Sequence, residues 1–180
     1  RPTTLQVAKL INGRAASTYQ FSMSIARGVD VSQVTASTGG QASITPAAIR
    51  VAAGSVFTLS EAATSGSLAN YTSTYSCTNT GDGGTAVPST PTAGTSVNIT
   101  PAVGDAISCT FVNTPITYSV SVAAGLGGTA SCAPAVVNSG QVSVCTAVPL
   151  PNYSVASWGG DCAIAGASST CTLSGVTSNK

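Results

Sequence analysis

The sequence predicts an all-β protein built from two tandem modules, each a small β-sandwich or β-sheet. Three observations support this fold class. Short runs of alternating and β-branched residues recur along the chain, glycine- and proline-rich turns separate them, and no stretch shows sustained helical periodicity. Many short strands at this spacing are typical of sandwiches.

The predicted strands follow one another at short intervals. In the first part of the chain the alternating runs cover residues 5–11, 19–26, 56–60, 71–77, 96–100 and 106–113. In the second part they cover residues 117–123, 140–148, 153–158 and 170–176. Turn signals separate these runs at Gly39-Gly40, 81–84, Pro101, 125–128, 138–140 and Gly159-Gly160.

The boundary between the modules is predicted at Asn113-Thr114-Pro115. A new strand run begins at Thr117, directly after the proline, so the linker is only a residue or two long. The first module therefore covers residues 1–114 and the second covers residues 115–180.

Charged residues are scarce: they make up 6% of the 180 residues, the formal net charge is +1, and there is no histidine. This charge offers no electrostatic footprint for nucleic acid or an anionic membrane. No apolar stretch approaches the length of a membrane span. Without histidine the chain lacks the commonest general base and metal ligand, so the sequence argues against an enzyme, a cofactor and a metal site.

Six cysteines in so apolar a chain indicate an oxidising, extracellular location. Six cysteines allow fifteen connectivities, so their pairing is a preference and not a deduction. The chain does not begin like a signal peptide, and we expect a mature secreted piece. The order of the six cysteines along the chain favours the pairs Cys77 with Cys109, Cys132 with Cys145, and Cys162 with Cys171.

Three polar residues lie in predicted strands of the first module. Lys9 is the only lysine before the last residue, Glu61 is the only glutamate, and Asn113 closes the final strand. A buried lysine loses its proton more readily, and a buried carboxylic acid can shuttle protons, so an amine can attack an amide and release ammonia. The alternative is that Lys9 reaches solvent, Glu61 caps a turn and Asn113 bonds its own backbone.

The spacing of these residues resembles a known family. With Lys9 in the first strand, Phe57-Thr-Leu59-Ser-Glu61 in a middle strand and Phe111-Val-Asn113 near the end, residues 5–114 resemble the collagen-adhesin B-type, or SpaA-type pilin, domain. The resemblance implies an Ig-like, prealbumin-like sandwich. It also implies an intramolecular isopeptide bond with Lys9 as nucleophile, Asn113 as acyl partner and Glu61 as catalytic acid, facing one core from adjacent strands. A disulfide between Cys77 and Cys109 departs from many relatives.

The second module resembles the divergent internalin-type B-repeat of bacterial surface proteins. The similarity lies in Asn152-Tyr-Ser-Val-Ala-Ser-Trp158-Gly-Gly-Asp161-Cys162 and in Thr170-Cys-Thr-Leu173. It implies a spacer or stalk, with Trp158 packed beside a Cys162–Cys171 bridge. Family members continue with one more strand, so we expect the closing strand to follow in a longer protein or to come from another subunit.

These features predict a structural module of a bacterial extracellular surface protein, either a filament subunit or an adhesin stalk. Its expected partners are copies of itself or neighbouring modules, with Arg1–Leu10 as a segment that a neighbour captures by strand addition. The alternative is a ligand- or glycan-binding adhesin tip that uses Trp158, Tyr153 or the face of Tyr71 and Tyr75.

Overall fold

The computed structural model describes residues 1–13, 19–35 and 43–180. Regular structure in these residues is almost entirely strand, so the all-β prediction is confirmed. The turn predicted at Gly39-Gly40 lies outside the described residues. The chain forms two compact units, Arg1–Thr114 (the first unit) and Pro115–Lys180 (the second unit).

Among the described residues, the strands that begin in the first unit number ten, and one short 3-10 helix lies at Leu68–Asn70. They are β1 (Thr4–Ile11), β2 (Gln20–Arg27), β3 (Asp30–Thr35), β4 (Ser43–Ile44), β5 (Ile49–Arg50), β6 (Phe57–Ser65), β7 (Tyr71–Asn79), β8 (Thr92–Ala93), β9 (Ser96–Ile99) and β10 (Ala106–Pro115).

The first unit is a sandwich of two sheets. One sheet has the order β4-β1-β10-β7-β8, with β5 also paired to β1, and the other has the order β3-β2-β6-β9. β1 and β10 are parallel and pair over their length, from Thr4 opposite Ala106 to Ile11 opposite Asn113. The first and last strands of this unit are therefore neighbours that run in the same direction.

Alternation along each strand fills the core between the two sheets. Leu5 and Val7 of β1, Leu59 of β6 and Phe111 of β10 are fully buried in one apolar cluster, and Met23 of β2 joins them. Period-two patterning places alternate residues on one face, so every second residue of these strands enters the core. A disulfide between neighbouring strands, Cys77–Cys109, lies in the same cluster.

The position of β1 corrects one prediction. β1 is paired to β10 on one edge and to β4 and β5 on the other. β10 pairs with the whole of β1, and on the other edge β5 and β4 pair with its two ends. The strand part of Arg1–Leu10 is therefore not a free segment for a neighbour while this unit is folded.

The second unit has five strands and a 3-10 helix at Gly160–Ala165. The strands are β11 (Thr117–Ser119), β12 (Gly128–Ala133), β13 (Val136–Asn138), β14 (Ser143–Pro149) and β15 (Thr170–Leu173). They form a three-stranded antiparallel sheet in the order β12-β14-β15 and a separate antiparallel pair, β11-β13. The disulfides Cys132–Cys145 and Cys162–Cys171 contribute to its small core.

The strand predicted at residues 153–158 is wrong. This segment is mostly exposed, forms no strand, and leads into the 3-10 helix. Its only backbone N–H bonds come from Tyr153, to Leu150 O, and from Trp158, to Gly166 O, because no described strand lies alongside to continue a ladder. In the described parts of the chain, the helices are two short 3-10 turns, and no helix has the length and hydropathy to cross a membrane.

Candidate cross-linking site

Lys9 occupies an inward position of β1 that its pattern would assign to an apolar residue. It follows Leu5 and Val7 on the same face and lies opposite Phe111 of β10. Its side chain is completely buried. Lys9 therefore does not extend along the surface into solvent.

Glu61 reaches the same place from the opposite sheet. It continues the buried positions Phe57 and Leu59 of β6, and its register partner in β2 is Met23. Its Oε2 lies 2.5 Å from Lys9 Nζ, and neither side chain is accessible to solvent. The expectation that all three residues lie on adjacent strands is thus wrong for Glu61, because the contact crosses the core between the sheets.

Asn113 lies on the strand next to Lys9. It is fully buried, faces the same core and pairs with Ile11, one inward position beyond Lys9. The offset between the two positions is roughly 6.6 Å along the strand and about 4.8 Å across to the neighbour. The extended lysine side chain and the shorter asparagine side chain together can span this offset.

The polar atoms of this site lack ordinary hydrogen-bond partners. Apart from the close Lys9–Glu61 contact, no hydrogen-bond partner is found within the described residues for these atoms: Lys9 Nζ, the two carboxylate oxygens of Glu61, and the amide nitrogen and oxygen of Asn113. Leaving such a group buried and unpaired costs about 1–3 kcal/mol, and native proteins contain few of them. Outside the Lys9–Glu61 contact, three buried polar atoms, Glu61 Oε1 and the amide nitrogen and oxygen of Asn113, have no partner among the described residues, so ordinary hydrogen bonding does not explain this site.

Burial controls the charge of the amine. It lowers the pKa of Lys9 below the ordinary value of 10.5, because the ammonium loses its hydration, while the charge and hydrogen bond of Glu61 oppose this shift. Lys9 Nζ also lies 5.2 Å from the centre of the Phe21 ring. That ring packs edge-on against Tyr71 at 5.3 Å, and Ile11 completes a buried apolar cluster. These apolar side chains keep the amine buried, which favours its neutral form.

Phe21 and Met23 were not identified as site residues from the sequence, and Tyr71 was named only for the alternative ligand-binding face. Alternation in Gln20–Arg27 would have assigned positions 21 and 23 to a core face. Nothing local shows that this face meets Lys9 and Glu61, because the contact depends on how the two sheets stack. Tyr71 is 5% exposed and lies against Phe21, and Tyr75 is partly buried with its ring 5.7 Å from that of Phe111. The predicted binding face of Tyr71 and Tyr75 is therefore not an open surface.

Comparisons with known proteins agree with this architecture. Residues 4–115 match the family model of the SpaA-type prealbumin-like fold domain. The chain belongs to the prealbumin-like fold family. Residues 118–180 match the model of the divergent InlB B-repeat domain, so both resemblances found in the sequence are confirmed. The prealbumin-like fold domain is a family of structural domains and not of enzymes.

Among solved structures, the chain is similar to an asparagine-to-alanine variant of the major pilin from Streptococcus pyogenes. The identity is 18%, the TM-score is 0.38, and the match covers 63% of this chain and 48% of the pilin chain. This chain thus matches about half the length of that protein. A comparison with curated proteins gave no match.

The prealbumin-like domain also contains a second buried polar cluster, around Asp105, in which the carboxylate has hydrogen-bond partners. Asp105 is fully buried and accepts from Asn79 Nδ2 and the Ala102 N–H, each at 2.7 Å. Burial alone would raise the pKa of Asp105, but hydrogen bonds from Thr85, Asn79 and Ala102 lower it to about 2. A Cβ at Gly83 would lie 2.5 Å from Asp105 Oδ1, so this turn needs glycine. In the described chain no cluster of metal-ligating side chains is found.

The B-repeat domain has one feature of a ligand site. A cavity of about 330 Å³ is lined by Trp158, Asp161 and Lys180, among other residues. Asp161 and Lys180 are the only charged residues of this domain, and Lys180 Nζ lies 3.2 Å from Asp161 Oδ1. The Trp158 indole donates to Ser168 O at 2.7 Å, and its ring packs against the core that contains Cys162 and Cys171.

Proposed function

We propose that this chain is a load-bearing structural module of a bacterial extracellular surface protein, as a filament subunit or an adhesin stalk. Its first unit forms an isopeptide bond between Lys9 and Asn113. The observation that carries the proposal is the buried Lys9–Glu61 ion pair beside the Asn113 carboxamide, whose nitrogen and oxygen have no hydrogen-bond partner among the described residues, located where the first and last strands of this unit lie side by side.

The bond forms in one turnover without a cofactor. Glu61 takes a proton from the Lys9 ammonium, and the neutral amine attacks Asn113 Cγ. A proton then passes from the attacking nitrogen through Glu61 to the carboxamide nitrogen. The new Nζ–Cγ bond forms, the old C–N bond breaks, and ammonia leaves while Glu61 remains protonated. Because the residues are consumed once, the chain is not a turnover enzyme.

The bond changes how the first unit carries force. Tension that enters β1 passes through Lys9 to Asn113 and leaves along β10, so residues 10–112 are bypassed. Cys132–Cys145 and Cys162–Cys171 limit extension in the second unit, and all three disulfides, including Cys77–Cys109, suit an oxidising exterior. Partners are copies of this chain or neighbouring modules of the same surface protein.

Intact mass of the non-reduced protein tests the bond. The wild type should be lighter than its sequence by one ammonia, in addition to two hydrogens for each of the three disulfides. Glu61→Gln should regain the ammonia and keep the disulfides. A wild-type mass without the ammonia deficit ends the proposal.

Tryptic mapping after denaturation and reduction locates the loss. No lysine or arginine lies between Arg50 and Lys180, and acylated Lys9 is not cleaved. The bond should therefore join peptide 1–14 to peptide 51–180. Asn12 is a second possible source of the ammonia loss, because it is exposed and followed by Gly13, and such an asparagine can lose ammonia by cyclising onto the next backbone nitrogen. That loss would leave peptide 51–180 unlinked.

A second candidate function is glycan binding through the cavity beside Trp158. Aromatic rings and charged side chains together suit a sugar, and Tyr153 adds an exposed ring on the same unit. A glycan array with tryptophan fluorescence tests it, and Trp158→Ala should abolish any binding. If no glycan changes the fluorescence, the stalk function stands alone.

A further inference from the structure

We propose that the Ser73 hydroxyl is a further catalytic group of the cross-linking reaction, donating a hydrogen bond to Asn113 Oδ1 while the amide carbon is attacked. This inference rests on the proposed isopeptide bond. It follows from a negative charge that the reaction creates and from the strand register, which places one hydroxyl directly opposite Asn113.

The reaction creates a negative charge at Asn113 Oδ1. As Lys9 Nζ bonds to Cγ, one electron pair of the carbonyl moves onto this oxygen. Glu61 then holds the proton taken from the Lys9 ammonium, and that proton is needed at the departing nitrogen. Asn113 is fully buried, and its Oδ1 has no hydrogen-bond donor among the described residues. Because a buried charge without a donor is costly, the reaction needs another hydrogen-bond donor at this oxygen.

The register between β7 and β10 shows which residue faces Asn113. β7 is the neighbour of β10 on the edge away from β1. Three contacts align the two segments: the Thr80 N–H donates to Ala106 O at 3.0 Å, Cys77 is bonded to Cys109, and the ring centres of Tyr75 and Phe111 lie 5.7 Å apart. Residue numbers fall along one strand as they rise along the other, so the strands run antiparallel. The next pair in this register is Ser73 opposite Asn113.

The backbone bonds of this pair bring the two side chains close. The Gly94 N–H donates to Ser73 O at 3.1 Å from the β8 side, and the Asn12 N–H donates to Asn113 O at 2.9 Å from the β1 side. Both carbonyls therefore point away from the shared edge, as in a non-hydrogen-bonded antiparallel pair. In such a pair the Cβ atoms are about 4.5–5.5 Å apart, within reach of a hydrogen bond between the side chains.

Ser73 has the chemistry that this position requires. It alternates with Tyr71 and Tyr75 on the core-facing side of β7 and is half-buried. Its hydroxyl has no hydrogen-bond partner among the described residues, so it can rotate toward Asn113 without breaking another bond. The O–H bond stays intact throughout, and the hydrogen bond strengthens as Oδ1 becomes charged. When ammonia leaves, the electron pair returns to the C=O bond.

The rate of ammonia loss during folding tests this role. Newly synthesised full-length chain, collected in denaturant before it cross-links, is refolded in an oxidising buffer and quenched at intervals for intact mass. Ser73→Ala should lose ammonia about 100-fold more slowly than wild type. Ser73→Thr keeps the hydroxyl on a residue that suits a strand and should stay within about tenfold of wild type. Ser76→Ala, at an outward position of β7, is the matched control and should react at the wild-type rate.

Two further measurements distinguish a chemical role from a packing role. In the uncross-linked background of Glu61→Gln, adding Ser73→Ala should change the Tm of the first unit by about 2 °C or less. The rates of wild type and Ser73→Ala should also change with pH in parallel, because proton transfer at Lys9 sets that dependence and a serine hydroxyl does not titrate there.

The outcomes separate this inference from the proposed function. If refolded wild type never loses ammonia, the isopeptide bond and the role of Ser73 are both wrong. If wild type loses ammonia and Ser73→Ala does so within about tenfold of its rate, only the role of Ser73 is refuted. Equal slowing in Ser73→Thr and Ser73→Ala, or a clear drop in Tm in the Glu61→Gln background, would show that packing and not the hydroxyl matters, and would also refute it.

Discussion

Asn113→Ala offers a quantitative test of the cross-link. The change removes the acyl partner but leaves the Lys9–Glu61 ion pair, which lies 2.5 Å apart across the core. The lost bond would close a loop from residue 9 to residue 113. Cys77–Cys109, with a separation of 32, already shortens that loop, so about 73 residues are constrained by the new bond alone.

Chain entropy converts this loop into a stability. A loop of this length corresponds to roughly 4–5 kcal/mol of the free energy of unfolding. For a domain of about 110 residues, each kcal/mol shifts the Tm by roughly 4 °C. The first unit of Asn113→Ala should therefore melt about 15–20 °C below wild type.

Calorimetry of the non-reduced proteins measures this difference, with mass spectrometry on the same samples. The matched control is Thr110→Ala, an outward-facing position of the same strand, which should change stability by about 0.5 kcal/mol or less. A Tm drop below about 5 °C, in a variant whose mass shows no ammonia deficit against its own sequence, would refute the loop-entropy reasoning.

Three further predictions concern other parts of the chain. Asp105 has a folded pKa of about 2 against an ordinary 3.8, so its contribution to the free energy of unfolding is complete above roughly pH 4 and is lost as the pH falls through 2. Wild type should therefore be more stable than Asp105→Asn by roughly 1–3 kcal/mol near neutrality. Urea titrations should show this difference shrinking as the pH falls over that range. Arg27 and Arg50 lie in paired strands, so native protein should resist trypsin, and rapid cleavage at Arg50 would contradict the pairing of β5 with β1. Replacing both cysteines of Cys132–Cys145 with alanine should cost the second unit about 3 kcal/mol by calorimetry, and an unchanged Tm would show that this bridge does not constrain the unfolded chain.

Alternation along individual strands was sufficient to place the three site residues in the core. Lys9 follows Val7, Glu61 follows Leu59 and Asn113 follows Phe111 at spacing two, and all three are buried. A polar residue that continues an apolar period is visible in the sequence alone, because side chains of a strand alternate strictly between faces. Family resemblance then supplied the expected chemistry.

The pattern failed where a strand needs a partner. Residues 153–158 alternate as a strand should, yet no described strand pairs with them and they remain irregular. The two-residue strands β4 and β5 were missed for the opposite reason, since pairing with β1 defines them more than their own residues do. Local sequence reports a preference for extended backbone, whereas a strand exists only through hydrogen bonds to another segment.

By itself, the sequence determined the all-β class, the scarcity of charge, and which polar side chains face the first core. Tertiary structure decided that β1 and β10 are parallel neighbours, and that Glu61 meets Lys9 from the opposite sheet. These outcomes depend on pairing and stacking between segments far apart in the chain, and local periodicity carries no information about such distant contacts.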